Sequence, residues 1–128
     1  MTIAPVETTL LFAALFGILH VIFTLRVGGY RLRTRISLGD GGDKELRNRI
    51  RAHGNFTENV PIALLLLLLN ELNGLAENTL VILGTVLLVS RVLHYVMIVT
   101  RSLPMVLRPI SMIGTLGTIL VSSVLLLV

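Results

Sequence analysis

The sequence predicts an all-α integral membrane protein, a bundle of four transmembrane helices. Of its 128 residues, 54% are hydrophobic and only 14% charged, with a mean hydropathy of +0.89. That is too apolar for a soluble domain of this size. The apolar residues fall in four segments, three of them near the roughly 20 residues that a helix needs to cross a bilayer and the second shorter, so that polar residues must enter with it. The polar stretches between them are too short for a second domain, so spans near 8–25, 51–70, 79–99 and 110–128 make one membrane domain over residues 1–128.

Thr8 to Leu25 gives 18 residues without a formal charge, the first span. The first cation is Arg26, so the basic start of a secretory signal peptide is missing and this helix is expected to persist in the mature protein. From Arg26 to Arg51 eight cations face three acids, the main concentration of charge. Gly39-Asp40-Gly41-Gly42-Asp43 within it is turn chemistry, and it lacks the GxxxxGK[ST] pattern of a phosphate loop.

The second span is the informative one. Its uninterrupted apolar run, Val60 to Leu69, is ten residues and too short to cross a core of about 30 Å at about 1.5 Å per residue. Extending it back to Arg51 draws Asn55, Thr57, Glu58 and Asn59 into or near the membrane. Pro61 lies inside this helix and removes one backbone bond, which membrane helices tolerate when neighbours repair the deficit. Asn70 to Asn78 reads as a polar turn, Thr79 to Val99 as the third span with Arg91 and His94 in its second half, and Ile110 to Val128 as a charge-free fourth span.

Lys and Arg concentrate in the first and third loops and are absent from the middle one. The positive-inside rule therefore puts loops one and three in the cytoplasm and both termini on the opposite side. The chain has no Cys, which removes disulfides and thiol nucleophiles of its own. A pI near 10.7 raises the question of nucleic acid, but the cations sit beside hydrophobic spans and are not interleaved with aromatics, so no nucleic acid partner is expected. Three scattered histidines, none with a second at i+4, predict no metal site. His20, alone on an apolar helix, reads as a packed or interfacial histidine.

Arg51, Asn55 and Glu58 are spaced i, i+4, i+7 and share one helical face. A glutamate facing lipid costs several kcal/mol on insertion scales, about 2.5–3.5, so Glu58 is expected to have a cationic or hydrogen-bonding partner. Arg91 and His94, at i and i+3 on the third helix, are the candidates. The same residues read equally as a structural ion pair or as a ligand site, and both readings stay open on residue chemistry alone.

Arg51-Ala52-His53-Gly54-Asn55-Phe56-Thr57-Glu58-Asn59-Val60-Pro61 resembles the R-A-x-x-N-x-x-E-x-x-P signature of the MAPEG family, membrane-associated proteins of eicosanoid and glutathione metabolism. Arg35 to Gly42 resembles the first loop of bacterial members, and Arg91-Val92-Leu93-His94 the R-x-x-H pattern of the third helix in microsomal glutathione transferases. The resemblance covers essentially the whole chain. It implies a homotrimer in a membrane, here the bacterial inner membrane, with glutathione as co-substrate at subunit interfaces near the cytoplasmic side. Carried over by motif, Arg51, Asn55 and Glu58 would hold glutathione, with Arg91, His94 and Arg35 beside them. Arg108, or else Arg101, would stabilise the thiolate. Glutathione carries two carboxylates and one ammonium, which suits several arginines around one glutamate.

The chain departs from the family at two positions. Asn59 stands where members often carry Tyr, and Ile98 stands where another Tyr is usual, with Tyr95 a possible substitute phenol about 100° round the helix from His94. The resemblance therefore implies a glutathione transferase or peroxidase acting on a lipophilic electrophile or hydroperoxide. The alternatives are a non-catalytic lipid-binding member, like the lipoxygenase-activating branch, or a structural membrane assembly protein.

Overall fold

A computed structural model describes residues 6–100 and 103–128. Four helices follow in order: α1 (Glu7–Thr34), α2 (Lys44–Leu72), α3 (Glu77–Thr100) and α4 (Leu107–Leu125). Three of them, α1, α3 and α4, are long and apolar enough to cross a membrane. α2 is the exception, for the reason its short apolar run suggested: its N-terminal half is polar.

Helix ends differ from the expected spans where charge, not geometry, set the expectation. α1 continues nine residues past Leu25 to Thr34, carried through Gly28 and Gly29 because Arg and Leu are good helix formers and no proline breaks the helix before Arg35, whose left-handed φ of 57° closes it. It is about 42 Å long, so its last turns project beyond a hydrocarbon core of about 30 Å. α2 begins at Lys44 rather than Arg51, capped by Asp43, whose side chain accepts from Leu46 N at 2.8 Å. It runs unbroken through Pro61. Asn70 belongs to the helix, not the turn: it is 1% exposed and donates to Leu66 O (2.8 Å) and to Ser122 O of α4 (2.9 Å).

The loop from α1 to α2 is the expected glycine turn. Gly39, Gly41 and Gly42 all take positive φ, and Asp40 accepts from Gly42 N at 2.9 Å. Asp40 also pairs with Arg47, and that guanidinium together with the Gly42 amide holds its carboxyl below the usual carboxylate range.

α2 and α3 form the centre of the bundle, each touching the other three helices, whereas α1 and α4 do not meet among the described residues. Phe12, Phe16 and Phe23 of α1 pack with Ala52, Phe56, Val60, Ala63 and Leu67 of α2 and with Leu80, Leu83, Leu87 and Tyr95 of α3. α4 joins through a buried row of small polar residues, Ser111, Thr115, Thr118 and Ser122, at i, i+4, i+7 and i+11. Thr115 and Thr118 bond back to the carbonyls four residues earlier, at 3.2 and 2.9 Å, so their hydroxyls are satisfied without water. Two glycines permit the close approach of helices: a Cβ at Gly84 would collide with the Phe12 ring, and one at Gly114 with Ser90 Oγ.

Candidate functional site

At the end of the bundle nearest the first and third loops, α2, α3 and α4 enclose two adjoining clefts. One, of about 350 Å³, is bordered by Asn48 and Arg51 of α2, Met97 and Ile98 of α3, and Arg108 of α4. The other, of about 360 Å³, is bordered by Asn55, His94, Arg108 and Met112. Arg108 borders both. Each falls in the size range of small-ligand pockets.

Arg51, exposed, and half-buried Asn55 face this region because they stand one turn apart on α2. Arg91 lies beneath them, 1% exposed. Its Nη1 donates to Asn55 Oδ1 at 2.5 Å and its Nη2 to Met112 Sδ at 3.6 Å, while its Nε has no partner among the described residues. A buried guanidinium held by one amide oxygen and one thioether is under-satisfied, because burial is costly for charge that is not fully hydrogen-bonded.

His94, also buried, contacts Ser111 Oγ through Nδ1 at 3.0 Å, and Ser111 Oγ donates to Arg108 O at 2.8 Å. The hydroxyl has one proton and gives it to that carbonyl. Its oxygen then accepts from His94 Nδ1, so the contact needs the ring protonated at that nitrogen. The histidine thus ties α3 to the first turn of α4, the turn that carries Arg108.

Three expectations change here. Glu58 does not pair with Arg91: it is exposed, and Asn55 takes the arginine instead. The reason is length and position. Asn55 is nearly a full turn closer to the loop end than Glu58, level with the buried guanidinium. The ion pairs among the described residues are Arg47–Asp40 and Arg49–Glu45. Arg35 borders neither cleft; it ends α1 and is exposed. Tyr95 is no substitute phenol at the clefts, since its ring stacks on Phe23 of α1, 3.5 Å between centroids and 4° from parallel. Asn59 turns back to its own helix, donating to Asn55 O at 2.8 Å. Arg101 lies outside the described residues.

Sequence reasoning missed Asn48, Ser111 and Met112. Ser111 had a visible signal, as the first member of the i, i+4, i+7 polar row in an otherwise apolar helix. Met112 had none, because a thioether in an apolar run looks like core.

The model of the MAPEG family matches residues 9–128. The chain belongs to that family. Among MAPEG-related sequences, Inner membrane protein YecN of Escherichia coli strain K12 is 45% identical over 86 residues, which cover 66% of this chain and 65% of that protein. The YecN of Escherichia coli O6:H1 matches to the same extent. This MAPEG chain is therefore a membrane protein, similar to one of the bacterial inner membrane, and the aligned part spans about two thirds of each relative.

Proposed function

We propose that this MAPEG protein is an integral-membrane glutathione transferase or peroxidase working as a homotrimer. The observation that carries the reading is the convergence of Arg51, Asn55 and Arg108 on two adjoining clefts at the loop end of the bundle. Two exposed guanidiniums suit glutathione's carboxylates, which accept bidentate hydrogen bonds. Glu58, exposed on the same α2 face, would take the ammonium group once a neighbouring subunit covers that face. Such cover also spares Glu58 a lipid environment, which is the physical argument for the trimer. With loops one and three in the cytoplasm, the clefts open where glutathione is dissolved.

Arg108 is the residue assigned to activation. A guanidinium beside a thiol favours its anion and so lowers the pKa, and the thiolate is the nucleophile. In conjugation the thiolate sulfur bonds to the electrophilic carbon, the halide or other leaving group departs with the bonding pair, and the thiol proton goes to solvent. In peroxide reduction two glutathiones give one disulfide, and the hydroperoxide becomes alcohol and water.

Turnover of an activated aryl halide by the purified protein tests this. Arg108→Ala should slow it about tenfold or more at neutral pH, the effect of a pKa rise of about one unit, and the defect should shrink as pH rises and the thiol ionises unaided. An unchanged rate at neutral pH removes Arg108 from the mechanism. One observation favours a second reading: Ile98 borders the cleft where a phenol would assist, and neither Asn59 nor Tyr95 replaces it. Glutathione binding without turnover would select that reading, a non-catalytic lipid-binding member.

A further inference from the structure

A second charged basin lies on the far side of the bundle from Arg108. A cavity of about 450 Å³ beside the end of α1 is bordered by Leu25, Arg26, Gly29, Tyr30 and Arg33 of α1 and by Arg49 of α2. It is built around Tyr30. The Arg33 guanidinium sits 5.5 Å and that of Arg49 4.8 Å from the centre of the Tyr30 ring, two cation–π contacts on one aromatic. The ring is fixed in turn by its hydroxyl, which donates to Asp43 at 3.1 Å.

Arg49 forms the floor. Its side chain is 12% exposed, and it is held by Glu45 (Nη2 at 2.5 Å, Nε at 3.1 Å) and by Arg26 O (3.4 Å). Asp43 commits one oxygen to Leu46 N and the other to Tyr30, and Glu45 is committed to Arg49. Both oxygens of Asp43 and one of Glu45 are thus in use. The Arg33 guanidinium, by contrast, is exposed and has no hydrogen-bond acceptor among the described residues. Three arginines border one concavity, with the guanidiniums of Arg33 and Arg49 meeting over Tyr30, and such a site calls for an anion with several oxygens.

The surface leading to the basin says which anion. Leu11, Leu15, Ile18, Ile22 and Leu25 follow at spacings of four and three residues, so they share the α1 face that continues into Gly29 and Arg33. All five are exposed, between 36% and 67%. The row is about 21 Å long, more than the roughly 15 Å that the acyl chains of one leaflet occupy. An apolar track ending in an arginine basin has the shape and polarity of one amphiphile with an anionic head.

We propose that this face binds an anionic glycerophospholipid, its phosphate held by Arg26, Arg33 and Arg49 and one acyl chain lying along Leu11 to Leu25. The site does not depend on the glutathione reading, since it uses a different face of the bundle.

The test is lipid retention by the full-length protein, measured by native mass spectrometry after incorporation into nanodiscs of mixed phosphatidylglycerol and phosphatidylcholine. Phosphatidylglycerol should be retained in preference. Arg33→Gln should lower that preference about fivefold, the effect of one arginine near a charged headgroup. Arg35→Gln removes the same charge from a residue that does not border the cavity, and should leave the preference unchanged. Equal losses in the two variants would mean diffuse attraction and overturn the proposal. It also fails if inorganic phosphate, added to protein in phosphatidylcholine alone, raises thermal stability as much as phosphatidylglycerol does, which marks a free-anion site. A change of oligomeric state in Arg33→Gln without a change in retained lipid would mean that a second copy of the chain covers this face, and equally overturns it.

Discussion

Asn55→Ala separates what this residue does for the fold from what it does for a ligand. In the fold, Asn55 Oδ1 is the oxygen acceptor for Arg91, which is 1% exposed and otherwise touches only the Met112 sulfur through hydrogen bonding. Deleting the amide removes one bond to a charged group, about 1.5–3 kcal/mol, and leaves a buried guanidinium without an oxygen acceptor. The variant should therefore lose about 3 kcal/mol of stability, toward the lower end if water enters the space vacated. Asn55→Asp keeps the acceptor and adds a charge to match Arg91, so it should stay close to wild type in stability while weakening glutathione binding by repelling its carboxylates. The assay is unfolding in mild detergent, with glutathione titrated calorimetrically into each variant. A double-mutant cycle with Arg91→Met isolates the pair, and its coupling should be about 1.5–3 kcal/mol. Wild-type stability in Asn55→Ala, or a coupling below about 0.5 kcal/mol, would refute the view that Asn55 holds Arg91.

Two further outcomes follow from other contacts. Glu71, at the end of α2, accepts from Thr8 N at 2.9 Å and Thr9 N at 2.7 Å, closing the start of α1 with a carboxylate from another helix. Burial raises its pKa, but the bonds from Thr9 and Thr8 outweigh it and the net shift is downward. A depressed folded pKa means the stabilisation is present above the unfolded value and is lost as pH falls through the folded one. Glu71→Ala should lower stability by about 1–2 kcal/mol at neutral pH, the size of a lost cap, and the difference from wild type should vanish in acid; a pH-independent difference would sink this account. Reporter fusions after Val128 should be active only on the non-cytoplasmic side, and activity in the cytoplasm would reverse the orientation drawn from the loop charges.

Much of the architecture was legible in the sequence because a bilayer leaves few choices. Backbone groups in hydrocarbon must be satisfied within each segment, so three long apolar stretches and a fourth, shorter one extended by polar residues mean four helices, and helical period alone puts Arg51, Asn55 and Glu58 on one face. The motif around them led to the family. Local sequence also gave the glycine turn, since Gly39, Gly41 and Gly42 supply the positive φ values that it needs. Pairing between helices was not legible. Which acceptor reaches Arg91 depends on the relative height and rotation of α2 and α3, and a difference of one turn gave the arginine to Asn55 and left Glu58 exposed. The same holds for Glu71 on the start of α1, for His94 joined through Ser111 to the turn bearing Arg108, and for Arg33 and Arg49 meeting on Tyr30. Each joins residues distant in sequence or on different turns, and spacing fixes faces within a helix while only packing between helices fixes which faces meet.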